Sequence, residues 1–414
     1  MSTTTTPLTF TKLLAACKAG GGSALSVTTP LAPAGGPGAL IAPARVTDRN
    51  GPAYAFERRL EFDPELNEFV AKWTVLIKSK QGVSNADEAA VLSARLDQDS
   101  PIGLALLRVP TILVTYDGMK VSDLELPHRA FDAHIRAGSV GGTPITATDE
   151  YRALRNANPG NARALIEAAP TSLLYGAWDS TRKSHQARYT TAITGEIVGV
   201  VADQDNDPNN STNRRHGARV DPVAASIRLD EKTVKALVED QKDDLSPKLQ
   251  EKILGEAKKG GAKGSSMSTL GFGHIPPSLE GLGGVACSSI TRRRVLSFAA
   301  LRQLRFGGNA EADAACRALL AAYGLLAMTL SDQELYIRAN CELVEAGPST
   351  MTLDLRQGRS EELEPLDEDS ALALFTEALT HAREVAGIDW SGQVLEVLGN
   401  QSILSAASAD EADE

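Results

Sequence analysis

The sequence predicts an α+β fold built as one large domain with insertions. Three observations carry this expectation. Strand-like and helix-like segments alternate loosely along the 414 residues, a long polar segment interrupts them in the middle, and no internal repeat is present. A hydrophobic content of 42% suffices for a sizeable core without staples.

The N-terminal "AGGGSALSVTTPLAPAGGPGAL", rich in Gly, Pro and small residues, reads as a loop. Trp73 to Lys78 is a short strand-like run, Ala86 to Leu96 a helix, and Leu104 to Tyr116 a strand, with Pro110 marking an edge or bulge. Asn161 to Ala169 reads as a helix closed by Pro170. "TSLLYGAW" then turns extended, and "RYTTAITGEIVGVVA" continues as strand.

Arg228 to Gly260 is charged and helical, with Ser246 and Pro247 as cap and first-turn pair and Gly260-Gly261 as a stop. The segment "GGAKGSSMSTLGFGHIPPSLEGLGG" is too glycine-rich for a regular element and long for a connector. Val285 to Leu296 is a strand, with Phe298, Leu301 and Leu304 at helical spacing beyond it. Ala310 to Met328 is a buried helix, "ELYIRANCELVE" a strand and Glu368 to Ala386 an amphipathic helix. Residues 402–414 read as a disordered acidic tail.

The four cysteines, Cys17, Cys287, Cys316 and Cys341, form no C-x-x-C pair and read as reduced, buried thiols. Leu14 to Cys17 matches a lipoprotein cleavage box, but no basic leader precedes it and Lys12 interrupts the apolar run. No run approaches the roughly 20 apolar residues that cross a bilayer, so a cytoplasmic protein without a membrane partner is expected.

The formal net charge of −11 hides an asymmetry. From Gly307 onward 21 acids face 5 Lys/Arg, a net of −16, which leaves 37 bases against 32 acids, or +5, in the rest. Three basic clusters stand out. "GAWDSTRKSHQAR" holds Trp178, Ser180, Thr181, Arg182, Lys183, His185 and Arg188. "NRRHGARV" holds Arg214, Arg215, His216 and Arg219. "ITRRRVLSFAALRQLRFGG" carries five arginines and no acid. Arg and Lys forks beside hydroxyls suit phosphate backbones. In the third cluster, strand alternation separates Arg292 and Arg294 from Arg293, and Arg302 and Arg305 share a helical face. The competing reading pairs these arginines with the acidic C-terminal part of the same chain.

Gly260 to Gly284 reads as a mobile loop that approaches a ligand, with Lys258, Lys259 and Lys263 behind it and Met267 or Phe272 as an apolar wedge, or as a disordered surface loop; "GGAKGSS" lacks P-loop spacing. "DQDNDPNNS" spaces Asp203, Asp205 and Asp207 like a calcium loop, but Pro208 replaces the turn glycine and Arg214 stands at the glutamate position. No hydrolase or metalloprotease motif and no cluster of metal ligands occurs, so neither catalysis nor a cofactor is expected. Asp179 beside Arg182 reads as a structural ion pair before an acid/base pair with His185.

"SLLYGAWDSTRKSHQARYTTAITGEIVGV", "LGFGHIPPS" and "ITRRRVLSFAALRQLRF", in this order, resemble the backbone RAMP subunit of type I-G (formerly I-U) CRISPR Cascade complexes, the Csb-one branch of the Cas-seven family. The resemblance runs from about Leu165 to Gly308. It implies a single subunit over 1–414 with an RRM-like (ferredoxin-like) palm and large finger and thumb insertions. Residues 203–284 would be the finger or thumb insertion and 307–401 the acidic C-terminal part of the palm. The implied partners are CRISPR RNA, target DNA through the guide, further copies stacked head-to-tail and other Cascade subunits, with base pairing reading sequence. Trp178 to Arg188 and "ITRRR" would line the guide, with Met267 and Phe272 as candidate wedges. The chain lacks the aromatic RNP signature of ordinary RNA-recognition motifs. The alternative is a guide-directed endoribonuclease cleaving target RNA with an aspartate, Asp179 first and Asp203 next.

Overall fold

The structure, a computed structural model, describes residues 5–48, 51–63, 66–179, 181, 188–209, 228–242, 245–261, 264–265, 268–270 and 284–403. Helix and strand are mixed, consistent with α+β. Two compact units emerge: residues 1–209 with 284–399, and residues 210–283 with 400–414.

The larger unit begins with α1 (Phe10–Cys17), capped by the Thr9 hydroxyl, and β1 (Ala24–Pro33). The sequence reading as a loop fails at β1, because its Gly and Pro residues flank or punctuate a true two-residue alternation. Leu25, Val27, Thr29 and Leu31 point into the core, while Pro30 sits on the exposed side. A hairpin follows, β2 (Phe56–Asp63) and β3 (Glu68–Lys78), of which only the second half of β3, from Trp73, was expected. Then come α2 (Lys80–Leu96), capped by Ser79, and a hairpin of β4 (Thr111–Tyr116) and β5 (Met119–Ser122). The strand expected from Leu104 begins only at Thr111; Leu104 to Leu106 end a short helix, Pro101–Leu106, capped by Ser100 with Pro at its first turn.

The next elements are α3 (Asp149–Asn156) and a two-residue ladder of β6 (Ala177–Trp178) with β7 (Arg188–Tyr189). Thr171–Leu174 is helical rather than extended, and β8 (Ile193–Val201) is a long strand. The smaller unit pairs α4 (Glu231–Asp240) with α5 (Pro247–Gly260) over a core of Val234, Val238, Ile253 and Ala257. Ser246 caps α5, Pro247 starts it, and Gly261 at φ +50 ends it.

Back in the larger unit, β9 (Cys287–Ser297) leads through a single helical turn, Phe298–Leu301, to α6 (Ala310–Glu334). The chain closes with β10 (Thr350–Asp354), β11 (Ser360–Leu363), α7 (Glu368–Ala386) and β12 (Val394–Leu398). The segment 334–345, expected as one strand, forms a strand only at Leu343–Glu345.

The main sheet runs β11-β10-β1-β9-β8-β3-β2, and Leu343–Glu345 also pairs with β1. Every pairing is antiparallel. Helices α2 and α6 pack together, α2 also meeting β8; α1 and α7 pack on α6, where Tyr323, Phe375 and Trp390 meet at ring separations of 5.9 to 6.2 Å. Gly324 lets α6 approach closely, since a Cβ there would lie 2.2 Å from Ile193 Cδ1. A second sheet sets β12 parallel to β4, with β5 beside it. By length and composition α6 is apolar enough to cross a membrane, which the sequence reading did not anticipate; 89% of its apolar window is buried in the fold.

Candidate nucleic-acid interface

The sheet register decides the fate of the arginine triplet. On β9, Ile290, Arg292, Arg294 and Leu296 share the inward face, opposite Leu31, Thr29, Val27 and Leu25 of β1 and Gly199, Ile197, Gly195 and Ile193 of β8. Gly195 is required there, because a Cβ would stand 2.7 Å from Arg294 Cδ.

Arg294 is buried. Its Nη1 and Nη2 donate to the two Asp87 oxygens at 3.1 and 2.8 Å, and its Nε donates to Asp332 Oδ1 at 2.9 Å. Burial disfavours its charge, but Asp87 and Asp332 outweigh that and hold its pKa above the ordinary arginine value. Arg292, also buried, donates to Glu345 at 2.8 Å, to the Asp332 carbonyl at 3.0 Å and to Thr29 at 3.3 Å. Arg293, on the opposite face, donates to both Glu61 oxygens at 3.1 and 3.2 Å. Arg302 is spent on the Ala16 and Gly22 carbonyls at 2.6 and 2.8 Å.

The expected continuous cationic track through Arg292, Arg293 and Arg294 is therefore corrected. Two of the three are interior, and all three are neutralised by carboxylates of this chain. Arg302 and Arg305 share no helix, which ends at Leu301. Arg305 keeps a 56% exposed side chain, with Asp313 at 3.3 Å.

The first cluster has a different character. β6 and β7 pair Ala177 with Tyr189 and Trp178 with Arg188. The base of this ladder is anchored: Tyr189 is buried and stacked on Phe131 at 6.4 Å, and the Gly176 carbonyl accepts from Arg129 Nη1 at 2.8 Å. Gly176 adopts φ +85, a region that a residue with a Cβ avoids, and a Cβ would also lie 2.9 Å from the Tyr189 carbonyl. The outer pair is open to solvent. Trp178 is 40% exposed, and the Arg188 guanidinium lies 4.8 Å from its ring centroid.

Beyond Trp178, Asp179 is buried. Arg155 Nε donates to its Oδ2 at 2.9 Å; Thr181 N and Oγ1 donate to its Oδ1 at 3.1 and 2.6 Å. Burial pushes its carboxyl up, yet the bonds from Thr181 and Arg155 prevail and leave it below the usual range. Arg155 also reaches Thr181 Oγ1 at 3.1 Å, so both ends of the loop's first turn are fixed.

The expected contacts Ser180, Arg182, Lys183 and His185 lie outside the described residues, as do Arg214, Arg215, His216, Arg219, Lys263, Met267 and Phe272, and residues 404–414 of the tail. The acidic turn near Asp203 folds onto itself: its Oδ1 accepts from Asp205 N and Asn206 N at 3.2 and 3.3 Å. No group of three metal-ligating side chains occurs among the described residues. All four cysteines are free, and burial pushes the Cys17 thiol up to about 12.

Sequence reasoning missed Arg155 and the β2–β3 hairpin, where Arg58 lies 5.6 Å from the Trp73 ring and Phe62 and Phe69 meet edge to face at 5.6 Å, 51% and 68% exposed. The signal was the alternation in "FERRLEFD" and "EFVAKWTVLIK" around "PELN".

Residues 25–204 match the family described as CRISPR-associated protein GSU0053. The matched segment runs from β1 through the β6–β7 ladder to the end of β8, a little under half of the chain. It marks the chain as CRISPR-associated, with a role in CRISPR defence and partners in the CRISPR machinery. No curated protein matches the sequence.

Proposed function

We propose that the chain is a CRISPR RNA-binding backbone subunit of a type I-G Cascade surveillance complex, cytoplasmic and non-catalytic, stacking in several copies along the guide. The observation that carries this reading is the β6–β7 ladder within the CRISPR-matched segment. A half-exposed Trp178 holds a cation against its face on a rigid, buried base. An aromatic face with an adjoining guanidinium suits single-stranded nucleic acid held without sequence preference, because every base has a stackable surface and every nucleotide a phosphate. In the sequence, Arg182, Lys183 and His185 lie between the two strands of this ladder.

The strand order supports a ferredoxin-like palm. Taken alone, β10-β1-β9-β8 is antiparallel, with α2 in the connection between β1 and β8 and α6 between β9 and β10, which is the order of a split βαβ pair. The engagement of both Asp179 oxygens with Arg155 and Thr181 favours a structural aspartate over a general base or metal ligand.

RNA binding by the purified chain should weaken with salt at a log–log slope of about −0.7 per phosphate neutralised. Arg188→Ala should flatten that slope by about one such unit, and Trp178→Ala should weaken binding about tenfold with the slope unchanged, in keeping with about 1–3 kcal/mol per stacked base. Unaltered affinity in both variants would remove the ladder from the interface. Regularly spaced cuts in a complementary RNA with Mg²⁺, lost in Asp179→Ala, would replace this reading with the endoribonuclease.

A further inference from the structure

A groove lies between α1 and the outer side of α7. Its volume is ≈ 680 Å³. Phe10 of α1 with Leu372 and Ala373 of α7 supplies an apolar floor, and Asp369, Glu377 and Glu384 line it with carboxylates. Phe10 is locked edge-on against His381 at 5.2 Å.

None of these three carboxylates has an ion-pair or hydrogen-bond partner among the described residues, in contrast to the sheet, where Glu61, Glu196 and Asp63 are all matched by Arg or Lys. Asp369 in the first turn of α7 is favoured by the helix dipole. Glu384 in the last turn is opposed by it and stands next to the C-terminal carbonyls. Positions 369, 377 and 384 fall on one stripe of a 3.6-residue helix, about 22 Å from end to end.

We propose that this groove docks an amphipathic helix of a partner protein that carries lysine or arginine on its flank. An apolar ridge on the incoming helix would cover Phe10, Leu372 and Ala373, and cations three to five turns long in total would meet the three carboxylates in order. The sign of the charge excludes a phosphate backbone as occupant. The spread of the carboxylates suits an elongated cationic partner better than a single ion, and no metal-holding group of side chains is present among the described residues.

The probe is a fluorescein-labelled 18-residue Leu/Lys peptide patterned as an amphipathic helix, titrated with the full chain in the absence of RNA, with a Leu/Glu peptide of the same pattern beside it. Micromolar binding of the Leu/Lys peptide is expected, at least tenfold weaker in Glu377→Lys/Glu384→Lys and intermediate in Glu377→Gln/Glu384→Gln. Charge reversal at exposed Glu362 and Glu364 should leave it within twofold. Thermal melts of the variants should match the parent, which separates lost docking from lost folding. Equal loss in the Glu362/Glu364 variant, undiminished binding in the Glu377/Glu384 variants, or equal binding of the Leu/Glu peptide would overturn the proposal. So would a self-associated chain that dissociates only in the Glu377/Glu384 variants, since the occupant would then be a second copy.

Discussion

At the residue scale, Arg294 shows how charge can be visible in a sequence while its use is not. The alternation of "ITRRR" gives the strand and the two faces correctly, and those follow from local geometry. What the side chains meet does not, because Asp87 is 207 positions away and Asp332 38 positions away, on two different helices. The weighing of burial against pairing then fixes the role: a guanidinium taken out of water is tolerable only with its carboxylates in place. Arg294→Met should leave Asp87 buried and unmatched, and should lower stability by about 3–5 kcal/mol. A urea midpoint measures this, and the salt slope of RNA binding should remain that of the parent. A variant that keeps its midpoint and loses RNA affinity would return Arg294 to the interface.

Among the elements, the strands nearest the N-terminus proved hardest to read. Helices α5 and α7 were legible to within a residue or two because caps, periodicity and glycine stops agree locally. β1 was hidden by its flanking glycines, and the β2–β3 hairpin by a four-residue turn without glycine. The residues of the β6–β7 ladder stood out as a basic cluster, but neither their pairing nor what steadies it was legible. That is α2, through Glu88: Arg129, at φ +49, donates to both Glu88 oxygens at 2.6 and 2.8 Å and to the Gly176 carbonyl beneath Trp178. Burial pushes the Glu88 carboxyl up to about 7, against the opposing pull of Arg129. A folded-state value above the unfolded value of about 4.3 means that the folded protein binds the proton more tightly. This group's contribution is therefore fully present at acidic pH and is lost as pH rises through 7, on the order of 3 kcal/mol in all. Urea unfolding from pH 5 to 8 should show the parent losing stability relative to Glu88→Gln as pH rises; a constant difference would place the Glu88 titration outside that window.

On the scale of the whole molecule, the charge asymmetry and the central insertion belong together. The −16 and +5 halves suggested two partners, yet much of the positive charge near β9 is cancelled inside the fold by acids from both halves, among them Asp87, Glu61, Asp332 and Glu345. Whole-segment counts fail for this reason: they cannot distinguish a solvated charge from one matched across the sheet. The insertion, by contrast, leaves and returns at one place. β8 ends at Val201, which pairs with Cys287 at the start of β9, and Ala202 N donates to the Ala286 carbonyl at 2.9 Å. In the sequence the smaller unit, with its own core of Val234, Val238, Ile253 and Ala257, is thus inserted between two strands that pair with each other. Joining Asn209 to Gly284 by a short Gly/Ser linker should leave the larger unit folded, because the closure entropy of a shorter loop is smaller by about 0.6 kcal/mol for each halving of its length. Circular dichroism should show a single cooperative transition at or near the parent temperature. If residues 203–284 also grip the guide, the same deletion should reduce the salt slope of RNA binding without abolishing the share owed to Arg188, whereas a deletion variant that folds and binds with the parent slope would confine the interface to the larger unit.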